Sequence, residues 1–216
     1  MNTDEVLRYL GAPNGPEALR RQVEETAGRI RETPRYTYRV FGLTHRSDGV
    51  ALEGGITLTG RLAQTMLAEC GQAALLACTL GAAFDQRLRA MQARDMAAAV
   101  ILDACGSVLV EEGCGAAEAD LAGRFLGRFL TDRFSPGYGD LPLSVQPELC
   151  AVLDASRRLG LHVTESLLLN PMKSVTAIIG LSDRPQAARI RGCAHCRLRE
   201  TCAYRKGGTH CGEGVS

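Results

Sequence analysis

The chain has 216 residues, a length that suits one large domain or one domain with a small appendage. Its formal net charge is +1, from 25 basic and 24 acidic residues, so no overall electrostatic field favours a nucleic acid or a membrane as partner. The absence of an 18-residue apolar run, and an N-terminus without the regions of a signal peptide, predict a cytoplasmic protein.

Hydrophobic periodicity and turn residues predict a mixture of helices and strands. The first part of the chain is predicted to form helices over 4–10 and 16–31, strands over 36–41 and 50–58, a helix over 60–69 and a strand over 73–80. Helices follow from 84 onward, over 95–110 and over 116–130. The last predicted elements are a helix over 145–159, which Ser144 caps and Gly160 ends, and a strand pair over 161–169 and 174–181.

The order of these elements predicts the fold class. Strands and helices are mixed without strict βαβ alternation, which favours an α+β fold over a doubly wound sheet. A change in composition near Arg184-Pro185 separates a tail rich in Arg, Gly, Cys and His, with little to bury, from the rest. The sequence therefore predicts a folded domain over 1–184 and a Cys-rich tail over 185–216.

The stretch Arg133–Asp140 (RFSPGYGD) is the most informative turn of the chain. Two glycines and a proline favour a fixed turn, and Arg133 and Tyr138 add a planar cation and an amphipathic ring. Such a turn can present backbone N–H groups and a guanidinium to a small anion, such as the carboxylate of an amino-acid-like ligand. The alternative is a plain helix-to-helix connection in which Arg133 pairs with a carboxylate.

Nine cysteines divide into two groups. Five lie singly in apolar surroundings, which predicts buried reduced thiols: Cys70, Cys78, Cys105, Cys114 and Cys150. The other four, Cys193, Cys196, Cys202 and Cys211, crowd into 19 residues and open with a CxxC, so their thiolates can converge on one metal centre.

The spacing of the four tail cysteines leaves the metal open. It matches neither the paired CxxC of a zinc ribbon nor the compact run of a bacterial ferredoxin, so a four-cysteine iron–sulfur cluster and a structural zinc are both compatible. His195 and His210 are candidate substitute ligands. The alternative is a loose tail with redox-active or disulfide-forming thiols.

Two further features have two interpretations each. Ser174 follows the turn Asn170-Pro171 and can meet a ligand, although the residues alone favour a plain strand-entry turn. Glu111 and Glu112 interrupt an apolar helical stretch, either as a solvated helix end or as a ligand contact. The chain contains no nucleophile elbow, Walker loop, dinucleotide fingerprint or paired-carboxylate signature, which argues against hydrolysis by a side-chain nucleophile.

Two motifs in the same order resemble the activation domain of cobalamin-dependent methionine synthase, and more closely the free-standing bacterial proteins built on that domain. They are RFSPGYGDLPL (Arg133–Leu143) and NPMKSVTAIIG (Asn170–Gly180), and the similarity extends to EVLRYLG (Glu5–Gly11), ITLTG (Ile56–Gly60) and ACTLG (Ala77–Gly81). The resemblance implies a central, mostly antiparallel sheet flanked by helices. The Cys-rich tail is not part of the methionine synthase domain.

The resemblance also implies which residues bind S-adenosylmethionine. In the family the arginine and backbone of an R-x-x-x-G-Y turn hold the methionine portion, and the tyrosine lies against the ligand. In this sequence those positions are Arg133, Ser135, Pro136, Gly137 and Tyr138.

Two more family positions carry over to the other motif and to the helix before the turn. The family's Ser-Val-Ser segment corresponds to Ser174, Val175 and Thr176, and the acidic residue of the preceding helix to Glu111. The aromatic residue that follows Ser-Val-Ser in the family is replaced by aliphatic Ile178-Ile179.

The function that the resemblance implies is reactivation of a corrinoid protein. The chain would bind S-adenosylmethionine and support reductive methylation of cob(II)alamin on a methionine synthase that lacks its own activation domain, or on another corrinoid protein, with electrons from a separate donor. No side chain need act as acid, base or nucleophile, and an iron–sulfur cluster in the tail would fit an electron relay. The alternatives are a metal-stabilised adaptor or S-adenosylmethionine sensor that docks on a corrinoid protein, and a small-molecule methyltransferase.

Overall fold

The structure, a computed structural model, describes residues 1–186 together with residues 190 and 200. The helices in this part of the chain are α1 (Thr3–Tyr9), α2 (Glu17–Arg29), α3 (Arg61–Leu67), α4 (Ala82–Gln92), α5 (Met96–Arg124), α6 (Gln146–Val152) and α7 (Ala155–Leu159). The strands are β1 (Arg35–His45), β2 (Gly49–Leu52), β3 (Thr57–Thr59), β4 (Gln72–Thr79), β5 (Phe129–Leu130), β6 (His162–Val163), β7 (Leu169–Asn170) and β8 (Ser174–Ser182). None of the helices in the described ranges is long and apolar enough to span a bilayer.

A six-stranded sheet in the order β3-β2-β1-β4-β8-β5 forms the centre of the described domain. Every neighbouring pair is antiparallel, and β6 and β7 form a separate two-stranded ribbon. The middle strands β4 and β8 pair along their length, with Cys78 opposite Val175 and Thr79 opposite Ser174. The predicted α+β class, with an antiparallel central sheet flanked by helices, is confirmed.

The two faces of the sheet bury separate hydrophobic cores because successive side chains of a strand point to opposite faces. On one face, Leu75 of β4 packs with Phe134 of the Arg133 turn, with Leu149 of α6, and with residues of α3 and α7. Leu76, one residue on, packs with Phe84 and with α5 on the other. The N-terminal helices α1 and α2 cover the outer side of α5 through a third cluster that includes Val6, Leu7, Val23, Cys105 and Val108.

The prediction of two helices over 95–110 and 116–130 is wrong. A single helix of 29 residues, α5, covers both, and residues 129–130 form strand β5 instead. The interruption at Glu111 and Glu112 lies inside the helix, not at its end. Gly113 is needed for close packing, since a Cβ there would lie 2.3 Å from the Pro34 Cβ and 2.8 Å from the Cys78 sulfur.

The elements after the Arg133 turn also differ from the prediction. The predicted helix over 145–159 is split into α6 and α7 at Asp154, whose φ of 52° is left-handed, and a 3-10 turn over Leu143–Val145 takes up Ser144. The predicted pairing of 161–169 with 174–181 is wrong, because 162–163 pairs with 169–170 while β8 joins β4.

One element before the Arg133 turn also differs from the prediction: the predicted strand over 50–58 is the two-stranded hairpin of β2 and β3.

Candidate functional site

A cleft of about 390 Å³ lies where the Arg133 turn, the start of β8 and the middle of α5 meet. This volume falls within the range of small-molecule sites, roughly 300–1,000 Å³. Its walls are formed by Glu111, Arg133, Ser135, Tyr138, Gln146, Leu169, Ser174, Val175, Thr176 and Ile190.

Backbone hydrogen bonds attach the turn to the edge of β8. The Phe134 N–H donates to the Ile178 carbonyl at 3.1 Å, and the Ile178 N–H donates to the Phe134 carbonyl at 2.7 Å. The turn then closes through Tyr138 N–H to the Ser135 carbonyl at 3.0 Å, with Gly137 at a left-handed φ of 89° that favours glycine. Arg133 and Tyr138 are therefore held on either side of a rigid bend.

The Arg133 guanidinium is shared by two carboxylates of α5. It donates to Glu111 through Nη2 and to Glu118 through Nη1, and only 13% of its side chain is exposed. Positions 111 and 118 are two turns apart and so lie on one face of the helix. Burial lowers the pKa of Arg133, but the carboxylates of Glu118 and Glu111 outweigh burial and raise that pKa above its ordinary value.

Pairing of Arg133 with a carboxylate was the alternative interpretation of the turn, and this contact is present. It does not remove Arg133 from the site, because Arg133 and Glu111 both line the cleft. The ion pair is part of the cleft wall and places one positive and one negative group side by side, facing the same space.

The opposite wall is the first part of β8. The Ser174 hydroxyl lies 2.6 Å from the Pro171 carbonyl oxygen and 2.7 Å from Thr79 Oγ1, so it is engaged within the protein. The Thr176 hydroxyl donates to Gln146 Oε1 at 3.1 Å, and Gln146 Nε2 donates to the Leu167 carbonyl at 2.6 Å. These bonds order the side chains of the wall before any ligand is present.

The backbone of β8 offers polar groups to the cleft as well. In an antiparallel ladder, N–H and C=O groups of alternate residues point to the same edge. Since Ile178 exchanges both of its hydrogen bonds with Phe134, the N–H and C=O of Thr176, two residues earlier, point to the same edge. The chain leaves that edge at Ser135, which leaves space beside Thr176 for a ligand.

An apolar groove of about 410 Å³ adjoins the polar cleft and shares Gln146, Leu169 and Ser174 with it. Its other walls are Leu143, Leu167, Leu168 and Met172. Leu168 and Met172 are 61% and 57% exposed. The two hollows together have a charged end and an apolar end, an arrangement suited to an amphiphilic small molecule.

The structure brings together six of the eight residues predicted to bind the cofactor: Glu111, Arg133, Ser135, Tyr138, Ser174 and Val175 line the cleft. Pro136 and Gly137 belong to the turn and do not line the cleft. Ligand contact by these residues stays a prediction. The sequence interpretation missed three lining residues, Gln146, Leu169 and Ile190. Gln146 differs from the other two in being polar and buried, with 5% exposed, but its burial is visible only in the structure.

Five cysteines of the described ranges are free and buried, as their apolar surroundings predict: Cys70, Cys78, Cys105, Cys114 and Cys150. Burial raises the pKa of Cys70, Cys105 and Cys150 to about 11. Cys78 and Cys114 lie next to each other behind the Arg133 ion pair, and their hydrogen bond lowers the pKa of Cys78 and raises that of Cys114.

The predicted metal ligands Cys193, Cys196, Cys202 and Cys211 lie outside the described residues, as do His195 and His210. Over 1–186, 190 and 200, no group of three or more His, Cys, Asp or Glu side chains could hold a metal ion. Two residues beyond the predicted domain boundary at 184 contact the folded domain: Gln186 is buried, and the Ile190 N–H donates to Asp132 at 3.1 Å. The boundary at 184 stays a prediction.

The fold and the cleft define a class: an antiparallel α+β domain with a cleft of small-molecule size beside strand β8. Among solved structures, the chain is similar to the crystal structure of the MetH reactivation domain bound to AdoHcy, with a TM-score of 0.62 over 90% of this chain and 74% of that one. The identity is 16%, so the likeness shows the fold. No family model matches the chain, and no curated protein matches it.

Proposed function

We propose that the chain binds S-adenosylmethionine in the cleft and supports the reductive methylation of cob(II)alamin on a partner protein. The partner is a cobalamin-dependent methionine synthase without its own activation domain, or another corrinoid protein. The observation that carries the proposal is the placement of Arg133, Glu111 and Tyr138 around one cleft, on a fold shared with a reactivation domain that binds AdoHcy.

The charges of the cleft complement those of S-adenosylmethionine. The ligand's carboxylate would bind the Arg133 guanidinium, and its ammonium would bind Glu111. The backbone N–H and C=O of Thr176 would hydrogen-bond the methionine portion. Tyr138, 54% exposed at the mouth, would lie against the ligand, and the adjoining apolar groove would take the adenosine.

The chain's own part in the chemistry is binding and orientation. S-adenosylmethionine supplies the methyl group, and the partner's cobalamin accepts it once an electron donor has reduced the cobalt. Tyr138 at the cleft, and Leu168 and Met172 at the adjoining groove, are exposed to solvent, which would leave a bound ligand accessible to a docked partner. We assign no catalytic side chain.

Calorimetric titration with S-adenosylmethionine tests the binding step. We expect Arg133→Ala to weaken binding by roughly 10- to 150-fold, because a hydrogen bond to a charged group contributes about 1.5–3 kcal/mol. Arg157→Ala is the matched control, since Arg157 is 74% exposed and pairs with Asp154 away from the cleft. A wild-type protein that does not bind S-adenosylmethionine would contradict the proposal.

A second experiment separates reactivation from sensing. The protein, S-adenosylmethionine and a reductant are added to a cob(II)alamin-loaded methionine synthase that lacks its activation domain, and methylcobalamin is followed by its absorption spectrum. Methylcobalamin formation that depends on wild-type protein, and falls with Arg133→Ala, supports reactivation. Tight binding without methylcobalamin supports the adaptor or sensor instead.

We also propose that the tail over 185–216 is a metal-binding segment with Cys193, Cys196, Cys202 and Cys211 as ligands, and that the metal is a structural zinc or an iron–sulfur cluster. Elemental analysis and absorption spectra of anaerobically purified protein distinguish the two. Replacing the four cysteines by serine should remove the metal, whereas Cys150→Ser, at a buried free thiol, should not. Metal-free wild-type protein would argue for a thiol tail. A cytoplasmic location stays a prediction.

A further inference from the structure

Arg133 already has two carboxylate partners before any ligand enters the cleft. The two partners differ in position. Glu111 lines the cleft with 43% of its side chain exposed, whereas Glu118 is 25% exposed and is not among the cleft-lining residues. An anion that approaches Arg133 from the cleft therefore meets Glu111 first.

A simple carboxylate gains little from such an arginine. To reach Nη2 it has to displace the Glu111 carboxylate, which would then lie beside the incoming negative charge without its guanidinium partner. Like charges this close repel, and a partly buried charge that loses its partner keeps the cost of desolvation. The exchange of one carboxylate for another is unfavourable.

A zwitterion avoids this cost, because its ammonium accompanies its carboxylate. When the ligand carboxylate takes Nη2, the displaced Glu111 can bind the ligand ammonium, which an α-amino acid carries on the carbon next to its carboxylate. The number of ion pairs then rises by one instead of staying constant. Glu118 keeps its contact with Nη1 throughout, so the guanidinium stays in place while its other partner changes.

We propose that Glu111 makes the cleft selective for the zwitterionic end of an α-amino acid, by competing with the ligand carboxylate for Arg133 and then accepting the ligand ammonium. This inference rests on the proposed binding of S-adenosylmethionine and adds how the site rejects related molecules. Nucleosides with a carboxylate but no ammonium bind poorly, although an arginine is present.

Three ligands of one nucleoside series test the selectivity by calorimetry: S-adenosylhomocysteine, its analogue without the amino group, and methylthioadenosine, which has neither charge. With wild-type protein, we expect S-adenosylhomocysteine to bind best and the deamino analogue no better than methylthioadenosine. With Glu111→Gln, we expect S-adenosylhomocysteine to bind about tenfold more weakly and the deamino analogue several-fold more tightly. Methylthioadenosine should be unaffected.

Glu112→Gln is the matched control, because Glu112 is the next residue of the helix and binds the N-terminal backbone instead of Arg133. It should leave all three affinities unchanged. If Glu111→Gln weakens the three ligands equally, Glu111 is only structural and the inference is overturned while the proposed function stands. If wild-type protein binds none of the three ligands, both the proposed function and the inference are contradicted.

Should Glu111→Gln fail to fold, the ranking of the three affinities for wild-type protein still tests competition by Glu111. A deamino analogue that binds wild-type protein tenfold better than methylthioadenosine contradicts competition by Glu111.

Discussion

Asp140, the last residue of the RFSPGYGD stretch, connects the Arg133 turn to helix α3. Its carboxylate accepts hydrogen bonds from the N–H groups of Arg61 at 2.8 Å and Leu62 at 2.9 Å. These are among the N–H groups that a helix leaves without an intrahelical partner at its start. Gly60, before the helix, has no room for a side chain, since a Cβ there would lie 2.7 Å from the Asp140 carbonyl oxygen.

The Asp140 contact gives a pH-dependent stability. Hydrogen bonds from the Leu62 and Arg61 N–H groups lower the pKa of Asp140 below its ordinary value, so the folded state favours the carboxylate. This contribution is present above the unfolded pKa of about 3.9 and is lost as the pH falls through the lowered folded value.

We therefore expect Asp140→Ala to reduce the urea midpoint of unfolding at pH 7, and the difference from wild type to shrink as the pH falls from 5 towards 2. Urea titrations monitored by circular dichroism measure both. Asp48→Ala, at an exposed position between β1 and β2, controls for the loss of one carboxylate. A difference that is constant over this pH range would show that the Asp140 carboxylate does not act through its charge.

At the residue scale the sequence was informative about chemistry and offered an ion pair for Arg133, but it did not identify the two carboxylates that share the guanidinium. The glycines and proline around Arg133 predict a fixed turn, because those residues restrict or widen backbone angles locally. The two glutamates that share Arg133 are 22 and 15 residues away along the chain. Their approach depends on the packing of α5 against the sheet, which no local pattern encodes.

Helix α5 is the element that the sequence interpretation divided in two. Its 29 residues carry glycines at 106, 113, 115 and 123, and a mid-helix glycine ordinarily signals a weak point. Tertiary packing overrides that tendency, because α5 contacts the strands β1, β4 and β8 as well as the helices α1, α2 and α4. The continuous helix places Glu111 and Glu118 on the side that faces Arg133.

Two glycines of α5 have opposite expected responses to alanine. We expect Gly113→Ala to destabilise the protein by about 1–3 kcal/mol, because its Cβ would overlap Pro34 and the Cys78 sulfur. Gly115→Ala should stabilise it by roughly 0.5–1 kcal/mol, since nothing lies within 4 Å of its Cβ and alanine favours the helix. Urea denaturation of the two variants, each the other's control, measures both. Equal effects would mean that helix propensity alone governs the two positions.

Strand β8 shows why the last pairing was mispredicted. Residues 161–169 and 174–181 are close in sequence with a turn between them, which favours a hairpin. The largely buried β8 instead pairs with β4, where apolar side chains cover both faces of the sheet. The short β6–β7 ribbon closes on itself and leaves Leu169 at the cleft.

At the scale of the whole molecule, ligand binding should stabilise the fold, because the cleft is assembled from α5, the Arg133 turn and β8 together. S-adenosylmethionine at 100 times its Kd should add about 2.7 kcal/mol to the free energy of unfolding, and hence raise Tm by roughly 5–10 °C for a chain of this size. Differential scanning fluorimetry measures the shift.

Arg133→Ala at the same ligand concentration should show at most about half of the wild-type shift, as a tenfold weaker affinity implies. Arg157→Ala, distant from the cleft, should show the full shift. A wild-type Tm that does not respond to S-adenosylmethionine, although calorimetry detects binding, would mean that the ligand binds the folded and unfolded chains alike.

The sequence by itself determined the α+β class, the position of most helices and the five buried thiols, because periodicity, turn residues and apolar surroundings are local properties. The two segments that line the cleft were singled out by their resemblance to a family, since local pattern alone left a plain turn as the alternative for each. Only the tertiary structure decided that β8 pairs with β4, that α5 is continuous, and that Arg133 lies between Glu111 and Glu118. These outcomes depend on burial and charge pairing between residues far apart in the chain, and such interactions exist only once the elements have packed.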